Sequence, residues 1–89
     1  MTIYVDQLTR HGKIHWSHMM TDGDIEELHA MAARLGLKRS WFQDKNPRYP
    51  HYDVQSRLRA LAIKFGAVAV NSDELIRRCV RKEQPKDEP

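Results

Sequence analysis

The sequence predicts a small α/β domain in which three helices pack on a parallel or mixed sheet of three to four strands. Three observations carry this expectation. Ala33-Arg34-Leu35-Gly36-Leu37 and Ile63-Lys64-Phe65-Gly66-Ala67 each read as a helix end, a glycine stop and the start of a strand. Short β-prone runs, Ile3-Tyr4-Val5 and Ala67-Val68-Ala69-Val70, alternate with segments of helical periodicity. A chain of 89 residues has room for one modest core. One domain is therefore expected over residues 1–82, followed by a charged, proline-bearing flexible tail at 83–89.

Taken in order, Ile3 to Val5 is the first strand and ends at Asp6. Gln7 to Lys13 is polar, holds Gly12 and reads as a loop. Ile14 to Met19 is a second extended segment with Ile14, Trp16 and His18 on one side. Asp24 is the expected N-cap of the first helix, because its carboxylate can accept from the exposed amides of the first turn. Ile25, Leu28, Ala32 and Leu35 form the apolar stripe of that helix, His29 borders the stripe, and Gly36 stops it. Leu37 to Gln43 reads as a strand with Trp41 and Phe42 in the core. Pro47 and Pro50 then interrupt regular structure, and Asp53 is expected to cap a second helix that buries Val54, Leu58, Leu61 and Phe65. Ala67 to Val70 has the pattern of a strand covered on both faces. Asn71-Ser72 turns into a third helix that buries Leu75, Ile76, Cys79 and Val80.

Composition narrows the function classes. A hydrophobic content of 40% with 30% charged residues fits a soluble globular protein. No apolar run reaches the ~20 residues needed to span a bilayer. The N-terminus lacks a basic region followed by an apolar one, so a cytoplasmic location is expected. One cysteine, Cys79, excludes an intramolecular disulfide. The net charge of +3 is unevenly spread, with basic residues concentrated between Arg34 and Lys64. A basic surface over residues 38–59 would suit a nucleic-acid or protein partner.

Several short motifs then occur in a fixed order. Tyr4-Val5-Asp6, Trp16-Ser17-His18-Met19, Glu27-Leu28-His29-Ala30-Met31-Ala32, Leu35-Gly36-Leu37, Trp41-Phe42-Gln43 and His51-Tyr52-Asp53 follow one another. The series resembles an uncharacterised bacterial and phage family, domain of unknown function 4031, over roughly residues 2–70. Ser17 stands where a cysteine is common in that family, which argues against a thiol role there, and Thr21 replaces the usual alanine. The resemblance implies no activity, cofactor or substrate.

The candidate site follows from topology. In sheets of this kind the ligand crevice lies outside the carboxyl ends of the strands. That edge gathers Asp6, Gln43 and Asn71 after strands, with His51 and Asp53 at a helix start. His18 or His51 would act as general acid or base, since histidine titrates near neutrality. Asp6 would hold an ion or activated water, or else merely make a turn. Gln43, Asp53, Arg57, Arg39 and Asn71 would bind the ligand, with Arg57 on a phosphate or, alternatively, paired to Asp53 one turn away. A divalent metal ion on His18, His29 and His51, with Asp53 as a carboxylate partner, is a further candidate. The leading expectation is a phosphate-bearing, nucleotide-like small molecule bound in a polar cleft, with metal-assisted hydrolysis. The alternative is a non-enzymatic accessory module that binds nucleic acid or protein. Oligomeric state has no sequence signal.

Overall fold

The computed structural model describes residues 2–81, so the tail expected at 83–89 lies outside the described residues. Five strands form a mixed sheet: β1 (Ile3–Val5), β2 (Thr9–His11), β3 (Ile14–Thr21), β4 (Tyr52–Gln55) and β5 (Val68–Ala69). Three helices accompany it, α1 (Ile25–Arg34), α2 (Ser56–Lys64) and α3 (Ser72–Cys79). The eight-residue β3 is the axis of the sheet. One of its edges pairs antiparallel with β1 and then with β2, and the other pairs antiparallel with β4. β5 adds to β1 in parallel.

The pairing on the first edge is interrupted. Val5 sits opposite Met19 and Thr9 opposite Trp16. Between these pairs Asp6, Gln7 and Leu8 on one side oppose only Ser17 and His18 on the other. This extra residue is a β-bulge, which bends the strand and re-aims side chains.

The two faces of the sheet are covered unequally. Val5, Met19, Tyr52 and Val54 bury one face against Leu28, Ala32 and Leu35 at α1 and Ala62 of α2. On the opposite face Tyr4 and Met20 pack on Leu75 and Cys79 of α3. Burial pushes the Cys79 thiol up to about 12, so it is no nucleophile at neutral pH. Strand alternation puts Trp16 and His18 on the same face as Met20, and cross-strand pairing puts Gln55 and Asp53 beside them. That part of the face lies beyond the α3 cluster.

Helix boundaries obey the local chemistry. The Asp24 side chain accepts from the Glu26 amide at 3.1 Å and caps α1, and Gly36 follows in the left-handed region at φ 84°. Asn71 caps α3 by accepting from the Glu74 amide at 2.8 Å.

Several expectations do not hold. The loop expected over Gln7–Lys13 contains β2, joined to β3 by a two-residue turn with Gly12 at φ 66°. With Lys13 at negative φ, this is a type II′ hairpin. Thr9, Arg10 and His11 are all exposed, so no apolar alternation marked the strand. Leu37–Gln43 is not a strand: Arg39–Trp41 forms a 3₁₀ turn, and only Gln43 bridges, to His51. Both edges of β3 are already taken, which leaves that segment no central partner. Trp41 is 52% exposed rather than in the core, whereas Phe42 does pack against it. Asp53 caps nothing, because it lies inside β4, and α2 starts at Ser56 without a side-chain cap. Val68 and Ala69 are exposed, not covered on both faces, since β5 is an edge strand. Ile76 is 40% exposed.

These burial differences predict opposite outcomes for two truncations. Leu28→Ala, at a fully buried position, is expected to cost about 2–5 kcal/mol in urea unfolding. Trp41→Ala should stay within about 0.5 kcal/mol of the parent, as exposed substitutions usually do.

Candidate functional site

The uncovered part of the second face carries a convergent polar cluster. His18 on β3 is paired directly across from Asp53 on β4. His51 precedes Asp53 by two residues in extended backbone and therefore lies on the same side. One ligand atom from each of His18, His51 and Asp53 can be chosen so that all lie within 4.8 Å of one another. The two imidazole rings meet edge to face at a centroid distance of 5.2 Å. His51 Nε2 is 3.5 Å from Asp53 Oδ1.

Each member of the cluster is held from behind. His18 Nδ1 lies 2.9 Å from Asp6 Oδ2. His51 Nδ1 lies 2.8 Å from the Tyr49 carbonyl oxygen, which can only accept. Both Nδ1 atoms are thus donors, and in the neutral rings both Nε2 atoms carry a lone pair. Gln43 Nε2 donates to Asp53 Oδ2 at 2.6 Å, leaving Oδ1 to the histidine side. The Gln43–His51 backbone bridge, at 2.9 and 3.0 Å, closes the 44–50 loop beneath this pair.

Asp6 is 2% exposed and anchors the whole arrangement. Its Oδ1 accepts from Ser17 Oγ at 3.1 Å and the His18 amide at 2.8 Å. Its Oδ2 accepts from Ser72 Oγ at 3.0 Å as well as from His18. Arg59 Nε donates to the Asp6 carbonyl at 2.8 Å. Burial by itself raises the Asp6 carboxyl, but the hydrogen bonds from His18 and Ser72 outweigh it and hold the group below its ordinary value of 3.8. The bond to Asp6 raises His18 above its ordinary 6.5 against the opposing effect of burial.

Of the residues predicted from sequence, His18, His51, Asp53, Gln43 and Asp6 come together. The carboxylate oxygens of Asp6 are engaged by protein donors, so Asp6 stands behind His18 instead of facing an ion. His29 lies elsewhere, with Nδ1 2.7 Å from the Tyr52 hydroxyl and its ring against Phe42. Arg39 pairs with Glu26 at 3.0 Å, and Asn71 serves as the α3 cap. Arg57 forms no salt bridge among the described residues, because Asp53 lies in a strand and the helical i,i+4 spacing does not apply. Ser17, Ser72 and Arg59 were not anticipated. Their contacts join residues 11, 66 and 53 positions apart, which no local pattern encodes.

Three cavities meet at the cluster. One of about 270 Å³ is lined by Asp6, His18, His51 and Ser72. A second of about 320 Å³ is lined by Trp16, His18 and Asp53. The largest, about 700 Å³, shares Trp16 and Asp53 with the second and reaches Arg57.

No curated protein and no solved structure matches the chain. A family described as "Protein of unknown function (DUF4031)" matches residues 3–82, nearly the whole chain and beyond the stretch that carried the resemblance. Residues 3–82 thus span both the sheet and the polar cluster, and the chain belongs to the DUF4031 family.

Proposed function

We propose that His18, His51 and Asp53 hold a divalent cation, and that the domain uses it to hydrolyse a phosphate-bearing small molecule. The observation that carries this reading is the convergence of His18, His51 and Asp53, each of which offers one ligand atom within 4.8 Å of the others. Support also comes from the Asp6–His18 contact, since metal-bound histidines generally donate their other N–H to a carboxylate or carbonyl. Two imidazoles with one carboxylate favour zinc or a similar transition metal over magnesium or calcium, which prefer all-oxygen sites. Three protein ligands leave a position for water, as in hydrolytic zinc sites.

A cation held by His18, His51 and Asp53 would supply Lewis acidity to hydrolysis, in which the oxygen of a water would bond to phosphorus as the bond from phosphorus to the leaving oxygen broke, the water's proton passing to solvent and the leaving oxygen taking one from it. His18 and His51 would act as ligands, and Asp6 would be a positioning residue. The basic 38–59 surface supports a nucleic-acid or protein partner less well, because Arg39 is paired to Glu26 and Arg59 is bound to the Asp6 carbonyl.

Calorimetric titration with zinc tests the reading. One ion per chain should bind, His51→Ala and Asp53→Ala should abolish binding, and Asp6→Asn should weaken it about 10–100-fold. Turnover of a chromogenic phosphodiester should fall with the same variants. Zinc binding unchanged in His51→Ala would overturn the assignment.

The Asp6–His18 pair also sets a pH dependence for the metal-free protein. The raised folded pKa of His18 makes its contribution full below the unfolded value near 6.5, and it is lost as pH rises through the folded value. The lowered Asp6 makes a contribution present above the unfolded value near 3.8 and lost as pH falls through the folded value. Melting temperature in chelator should therefore decline as pH rises past about 6.5, and Asp6→Asn should flatten that decline. Added zinc should reverse the slope, because protons compete for the ligand nitrogens.

A further inference from the structure

We infer that the large cavity beside Asp53 receives a planar heteroaromatic ring joined to the phosphate, so that the ligand is a nucleoside phosphate. The phosphate end of this inference rests on the cation reading above. The ring end rests on the cavity alone.

At about 700 Å³ the cavity is far larger than a phosphate needs and falls in the range of small-molecule sites. Two indoles from different elements line it, Trp16 from β3 and Trp41 from the 3₁₀ turn. Trp41 is 52% exposed, so about half of its surface is accessible to a ligand. The Lys38 ammonium lies 5.7 Å from the Trp41 ring centroid, a cation–π contact. Phe42 also lines the cavity, but its ring is committed to His29 and Tyr52.

The polar part of the lining fits the edge of a base better than an aliphatic chain. Gln43 and Gln55 present side-chain amides, which both donate and accept. One N–H of Gln43 Nε2 is engaged by Asp53, which leaves its second N–H and its carbonyl oxygen for a ligand. Arg57 stands in the first turn of α2 on the same wall as Asp53, where a guanidinium can hold a phosphate by paired hydrogen bonds. Trp16 and Asp53 line both this cavity and the one reaching His18. A ring stacked in the cavity and a phosphate at the cation would therefore be contiguous.

Ligand-observed NMR and calorimetry on the full chain test this, with adenosine, guanosine, cytidine, uridine, their 5′-monophosphates and ribose 5-phosphate as probes. In chelator at least one nucleoside should bind, and Trp41→Ala should weaken it about tenfold or more, with Trp41→Phe restoring most of the loss. Zinc should then tighten the monophosphate over its nucleoside in the parent, and His51→Ala should remove that gain while leaving nucleoside binding intact. Ribose 5-phosphate binding as well as every monophosphate, or nucleoside binding indifferent to Trp41→Ala, would overturn the inference. Zinc failing to bind while nucleosides do would overturn the cation reading and leave the ring site standing.

Discussion

A carboxylate at 2% exposure costs several kcal/mol unless donors replace the water it has lost. Asp6 meets that requirement with four hydrogen bonds to its two oxygens, from Ser17 Oγ, the His18 amide, His18 Nδ1 and Ser72 Oγ. Its carbonyl accepts from Arg59. The donors to the carboxylate come from β3 and α3, and Arg59 on α2 reaches the carbonyl, so this one residue ties three elements to the end of β1. The bulge makes this possible. A continuous β1–β2 ladder would direct the backbone groups of Asp6 to its cross-strand partner, whereas the bulge leaves its carbonyl to side chains.

The same demand fixes the orientation of His18. With Nδ1 held by the buried carboxylate, Nε2 is the nitrogen left for other partners, and the ring meets that of His51 edge to face. The two residues on the β4 side are held independently, His51 by a backbone carbonyl and Asp53 by Gln43. Strands carry His18 and Asp53, and a backbone bridge carries His51, so the geometry does not depend on a free loop.

Unequal coverage of the sheet explains why the cluster stays accessible. α3 has eight residues and so spans only about 12 Å. It protects Tyr4 and Met20 at one end of the face and stops there. The remainder must be either apolar and covered by something else or polar and open. His18, Asp53 and Gln55 make it polar, and Trp16 with the Trp41 turn walls the adjoining cavity. The opposite face has two helices and carries the principal core, which leaves this part of the sheet without that packing role.

Much of the helical structure was legible in the chain. Asp24, Asn71, Gly36 and Gly66 mark helix ends through short-range hydrogen bonds and backbone conformation, which depend on neighbours in sequence. The α/β class followed from those ends, and the prominence of His18, Gln43, His51 and Asp53 followed from their chemistry. Strand identity was less legible. β2 has no apolar residue, and Asp53 looks like a cap because aspartate before a helical stripe usually is one. Only pairing with β3 makes it a strand residue and sets it opposite His18. The separation of His29 from the cluster, the recruitment of Ser72 and Arg59 to Asp6, and the one-residue bulge that lets them meet were decided by tertiary structure. Capping and periodicity are local and can be read from residues a few positions apart. Register, face coverage and the neutralisation of a buried charge depend on segments up to 66 residues apart, whose partners no local pattern specifies.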